Sequence, residues 1–240
     1  MVDVWLPAGR GPFPTVLMVH GGCWTTSIAD RHIMDWAAED LRRRGFAVWN
    51  IEYRGVDRPG GGYPGTFRDT AAAADALAAN ARRFHLDVRR IVSVGHSAGG
   101  HLALWLAGRR RLPKSSSLRS AHPLRIAAVV SLGGLPDLEE ETKVPNGCGK
   151  TVSATLAGGS YAETSVPRLA PLGVPQTLVN GRLDKIIPDK LATDYQRMMR
   201  AAGDPVVIRW VRNAGHVDLI APGTAAWAVA VQSINTALKR

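Results

Sequence analysis

The sequence predicts one α/β domain over residues 1–240, a mostly parallel central sheet with helices on both faces. Three observations carry that expectation. Strand-like and helix-like stretches alternate along the chain. Thr15–His20 and Ile126–Leu132 are continuous apolar runs, the pattern of strands covered on both faces. An apolar run closing at Gly95 meets a helical run opening at Ala98, with Ser97 on the turn between them. Hydrophobic residues make up 45% of the 240 positions, enough for a sizeable core in a single domain.

Val2–Leu6 alternates apolar and polar and is stopped by Pro7-Ala8-Gly9, so it reads as a short edge strand. After Thr15–His20, the apolar positions Ile33, Trp36, Ala37 and Leu41 recur at helical spacing within Arg31–Arg44, and Gly45 closes that helix. Phe46–Ile51 is the next strand. A glycine- and proline-rich loop runs from Arg54 to Gly65, and the alanine-rich Phe67–Phe84 is helical. Ile91–Val94 is a strand and Ala98–Gly108 a helix. Arg109–Pro123, basic and serine-rich, reads as a solvated connector. Beyond Ile126–Leu132, residues 134–171 lack strong periodicity apart from a helical patch near Thr151–Leu156, which marks a small cap insertion. Pro175–Val179 (strand), Asp189–Ala202 (helix), Val206–Val211 (strand) and Thr224–Leu238 (helix) complete the alternation. Ligands of such sheets bind beyond the carboxyl ends of the strands.

Gly95-His96-Ser97-Ala98-Gly99 has the form G-x-S-x-G. Small residues on both sides let strand and helix approach closely while the serine hydroxyl stays exposed on a strained turn. The amide of Ala98, at a helix N-terminus, faces any oxyanion formed beside that hydroxyl. Here the chain resembles the α/β-hydrolase superfamily, in which an acid and then a histidine follow the nucleophile. A serine needs a base to take its proton and the base needs a partner to orient it. His216, directly after the last strand, is the best-placed base, ahead of His101 and His122. Asp184 closes the preceding strand and is the favoured acid; Asp137 is second, with Asp189 and Asp218 less well placed. His96 is read as structural.

His20-Gly21-Gly22-Cys23-Trp24, Asn50-Ile51-Glu52-Tyr53-Arg54 and Gly95–His101 sharpen the likeness. They resemble the esterase/lipase group that contains kynurenine formamidases and hormone-sensitive-lipase-like enzymes, in which strands usually precede this point; the N-terminal part is therefore shortened. The resemblance implies an oxyanion hole from the amides of Gly22, Cys23 and Ala98, with Cys23 replacing the third glycine of an HGGG loop. Under it His20 braces the loop, and Trp24 either lines the acyl pocket or packs. It further implies a carboxylesterase-like serine hydrolase of small esters, with an arylformamidase or a small prolyl-oligopeptidase-like peptidase as alternatives.

Composition narrows the rest. The formal charge is +10, but the arginines are scattered and no aromatic residues interleave with them, so specific nucleic-acid binding is not expected. No apolar run approaches bilayer length, and the first residues lack a signal-peptide pattern; a cytoplasmic location is the default. There Cys23 and Cys148 are expected as free thiols, a bridge between them being the lesser alternative, with Cys23 open to thiol reagents. The histidines do not group with carboxylates at ligand spacing, and Gly60-Gly61-Gly62 lacks a Walker ending, so neither metal nor cofactor is expected. A small-molecule ester or amide is the expected partner.

Overall fold

The structure is a computed structural model and describes residues 1–145 and 147–239. Its strands are β1 (Val2–Trp5), β2 (Phe13–Val19), β3 (Ala47–Ile51), β4 (Leu86–His96), β5 (Ala128–Leu132), β6 (Gln176–Gly181) and β7 (Val206–Val211). They form one sheet in the order β1-β3-β2-β4-β5-β6-β7. Only β1 runs antiparallel, against β3; every other neighbouring pair is parallel.

Alternation along each strand divides the core in two. Val16, Met18, Val48, Val92 and Val94 pack under α1 (Asp35–Arg43) and α7 (Ala225–Leu238). Leu17, Val19, Trp49, Ile91 and Val129 pack under α2 (Gly65–Phe84), α3 (Ala98–Gly108) and α6 (Asp189–Ala201). The continuous apolar runs therefore serve two helical layers at once.

One strand is longer than the sequence pattern indicates. β4 starts at Leu86, not Ile91, because Leu86 and Asp87 pair with Phe13 and Pro14 before the register shifts between Pro14 and Thr15. The exposed Val88-Arg89-Arg90 stretch hides this, since it has no face to bury.

Between β5 and β6 lie α4 (Leu138–Glu141), α5 (Lys150–Ala157) and a 3-10 turn at Val166–Leu169. Polar contacts fasten this segment onto α3 and the glycine-rich loop. Thr164 O accepts from His101 Nε2 at 2.7 Å and Glu163 O from Trp105 Nε1 at 2.8 Å. The Glu163 carboxylate takes the Tyr63 and Ser116 hydroxyls, each at 2.9 Å. The connector after α3, expected as merely solvated, thus has an anchor in Ser116. Among the described residues no helix is long and apolar enough to cross a membrane.

Candidate active site

Ser97 lies between β4 and α3 with φ 53° and ψ −122°, a conformation that costs a non-glycine residue about 1–3 kcal/mol. It survives because its neighbours over-determine it. Ser97 N donates to Leu132 O at 2.9 Å, and Ser97 O accepts from Gly100 N at 2.8 Å. A side chain at Gly99 would run into the carbonyls of Val19 and His20, so α3 sits directly on the end of β2. Ser97 is 3% exposed, and among the described residues its hydroxyl makes no hydrogen bond.

The candidate acid and base, Asp184 and His216, lie on the loops after β6 and β7. Asp184 Oδ1 accepts the amides of Ile186 and Ile187, both at 2.9 Å, and Oδ2 accepts His216 Nδ1–H at 2.7 Å. Burial pushes the Asp184 carboxyl up. The His216 hydrogen bond and the two amides outweigh it and leave the group below its ordinary value. With Nδ1–H committed to the carboxylate, His216 presents Nε2 as its free nitrogen.

β7 lies three strands from β4, about 14 Å at ordinary strand spacing. The histidine loop must therefore fold back across the sheet end. It does so over Gly181, where any side chain would meet the Ala214 carbonyl. His96 Nε2–H then donates to His216 O at 3.1 Å, with the two rings 4.5 Å apart. Burial, followed by the neighbouring His216, holds the His96 pKa down to about 3, so its ring stays neutral beside the base. Sequence reasoning passed over this contact; a histidine directly before the nucleophile was its only signal.

Across the elbow runs the loop after β2. A Cβ at Gly21 would lie 2.8 Å from His96 Nδ1 and 3.1 Å from Ser97 Cβ, which seats the loop against the serine. Gly22, Cys23 and Trp24 are consecutively left-handed, at φ 102°, 50° and 51°. Among the described residues the amides of Gly22, Cys23 and Ala98 donate no hydrogen bond, which leaves them available to an anion. His20 braces the loop: its Nδ1 faces Gly21 O at 2.7 Å and its Nε2 faces Glu52 Oε1 at 2.8 Å. The ring stacks on Tyr53 at 4.2 Å. Burial pushes the Glu52 carboxyl up, but the His20 contact and the amides of Arg31 and Tyr53 pull it down to about 2.

The remaining candidates are otherwise engaged. Asp137 is buried and accepts from Glu139 N and Ser165 Oγ, Asp189 pairs with Arg182, and Asp218 accepts from Gly215 N. His101 is buried beneath the segment between β5 and β6, and His122 is exposed on the connector.

Three expectations are corrected. Trp24 is fully buried, edge-on to His101 at 5.4 Å, so it packs and does not line a pocket. Cys23 and Cys148 are not free thiols but a disulfide, with Cα atoms 5.1 Å apart. A separation of 125 residues carries no local signal, and the fold of the segment between β5 and β6 brings them together. The expected reaction of Cys23 with thiol reagents falls with it. Finally, Asp3, His32 and Asp35 do group, with potential ligand atoms within 4.8 Å. The β1–β3 edge brings Asp3 to a turn far from it in sequence. Asp3 is already bonded to Arg31, and Asp35 to His32.

The BD-FAE family model matches residues 2–196. The chain is 24% identical over 220 residues to the acylamino-acid-releasing enzyme of Rattus norvegicus, an alignment covering 88% of this chain and 29% of that protein. It is 32% identical over 105 residues to the versiconal hemiacetal acetate esterase of Dothistroma septosporum, covering 43% of this chain and 31% of that one. The chain thus spans less than a third of the length of these relatives. Among solved structures, esterase B of Lactobacillus rhamnosis superposes with a TM-score of 0.84 at 19% identity, covering 99% of this chain and 82% of the other, a likeness of fold.

Proposed function

The chain belongs to the BD-FAE family, an α/β-hydrolase family, and on that premise we propose that it is a serine hydrolase cleaving small carboxylic esters through an acyl-enzyme on Ser97. His216 Nε2 takes the proton from the Ser97 hydroxyl as its oxygen attacks the ester carbonyl. Asp184 holds the ring and stabilises the imidazolium. The carbonyl oxygen, now an anion, receives the amides of Gly22, Cys23 and Ala98. Collapse expels the alcohol, which leaves with the proton from His216. Water then attacks the acyl-enzyme by the same route and releases the acid.

The observation that carries this reading is the 2.7 Å Asp184–His216 contact, tied to the elbow by the 3.1 Å bond from His96. A second reading draws on the likeness to acylamino-acid-releasing enzyme over 88% of the chain: cleavage of an amide by the same serine. Working location follows from chemistry too. A disulfide persists in oxidising compartments, so the Cys23–Cys148 bridge weighs against the cytoplasmic default.

Hydrolysis of p-nitrophenyl esters from acetate to decanoate, beside N-formylkynurenine and an aminoacyl-nitroanilide, tests and divides these readings. Short esters should turn over fastest, and Ser97→Ala should lose roughly 10³-fold or more. Preference for the nitroanilide favours the amide reading, and near-normal turnover by Ser97→Ala contradicts both.

A further inference from the structure

Cys23 stands in the loop beside Ser97 with φ 50°, a backbone region that favours glycine, and Trp24 repeats it at φ 51°. Trp24 has an evident anchor: its side chain is fully buried against His101, and its carbonyl accepts the amide of Val56 at 2.7 Å. Among the described residues the Cys23 side chain has one bonded partner, Cys148. Cys148 is itself pinned. Its amide donates at 2.7 Å to Glu141, a buried carboxylate that also takes the Ser153 hydroxyl. The chain of contacts therefore runs from α5 and α4, through Glu141 and Cys148, to a strained peptide whose amide points to no protein acceptor among the described residues.

We propose that Cys148 and Glu141 are positioning residues for the oxyanion loop: the bridge holds Cys23 in the left-handed conformation that a glycine would adopt unaided. This rests on the ester-hydrolase reading above. The covalent tie supplies what the missing glycine does not, a backbone that aims the Cys23 amide at the carbonyl oxygen. Without the tie, a residue bearing a Cβ relaxes toward negative φ and turns that amide away. The loss falls on the transition state, where the oxygen carries charge, and not on substrate binding.

Cys148→Ser tests this, since residue 148 offers no atom to the hole. Turnover of a short p-nitrophenyl ester should fall about tenfold to a hundredfold in kcat, with KM within about twofold. The inhibition constant of a trifluoromethyl ketone, whose adduct on Ser97 places an oxyanion in the hole, should rise by a similar factor. Adding Cys23→Gly to Cys148→Ser should recover most of the lost kcat, because glycine reaches φ near 50° without the steric cost that a Cβ imposes. A bridge that serves stability alone would give no such rescue. If Cys148→Ser fails to fold, Glu141→Gln keeps the bridge, loosens its anchor and should lower kcat several-fold at constant KM. Unchanged kcat in the folded variants, or a double variant no better than Cys148→Ser, overturns the proposal while leaving the hydrolase reading intact. A wild type without Ser97-dependent turnover overturns both.

Discussion

Asp184 and His216 sit on loops after neighbouring strands and are fixed by hydrogen bonds from residues close in sequence or in the sheet. Cys23, on the other side of Ser97, sits in a left-handed backbone fastened covalently across 125 residues. The first corner is built from relaxed groups: a carboxylate that gains from its partners and an imidazole held in one tautomer. The second stores strain and needs an external hold. Catalytic acids and bases tolerate ordinary turns, whereas backbone donors that must converge on one point need unusual φ values.

The sharpest way to break this contrast is Asp184→Asn. It keeps the shape of the acid–base corner but offers His216 the wrong tautomeric partner, so kcat should fall by about 10⁴-fold with the fold intact. Kinetics beside a thermal melt check this; a loss below tenfold would mean that another acid serves His216. The bridge should show the opposite balance, with a large share of its effect in stability. Cys148→Ser should lower unfolding free energy by about 2–5 kcal/mol in urea titrations, more than any single hydrogen bond of the acid corner.

A smaller effect is expected at His96, which joins the two corners. His96→Ala frees the His216 carbonyl and should lower kcat roughly tenfold to a hundredfold through misplacement of the base. His96→Gln, whose amide can donate from the same place, should recover much of it. Smallest is the pH response of the brace under the strained loop. The Glu52 carboxyl is lowered from 4.5 to about 2, so its contribution to stability is full above its unfolded value and is lost as pH falls from about 4.5 through 2. Melting temperatures across that window should fall less steeply for Glu52→Gln than for wild type. Asp184, also lowered, adds to the slope with the same sign.

The same contrast explains what could be read in advance. Strand ends reveal themselves in an apolar run followed by polar and glycine residues. Ser97, Asp184 and His216 each stand at such an end, whereas Asp137 follows an earlier strand, Asp189 falls in the first turn of a helix and Asp218 lies too near His216 to orient it. The Cys23–Cys148 bridge has no such signal, because it depends on how an aperiodic segment folds back onto the sheet. Trp24 is ambiguous for a related reason: whether a tryptophan lines a pocket or fills a core depends on its neighbours, here His101, which reaches it only in the folded chain. β4 is longer than its apolar run because its first residues gain from ladder pairing and an Asp87–Arg89 ion pair, neither of which shows as periodicity.

The most direct test of the central claim is to trap the acyl-enzyme. On mixing with p-nitrophenyl acetate, nitrophenolate should appear in a burst of about one equivalent before steady turnover. Acid quench and peptide mapping should then find one acetyl group on the peptide carrying Ser97, absent from Ser97→Ala. Steady hydrolysis with no burst and the acetyl group on another residue, retained by Ser97→Ala, would contradict the account.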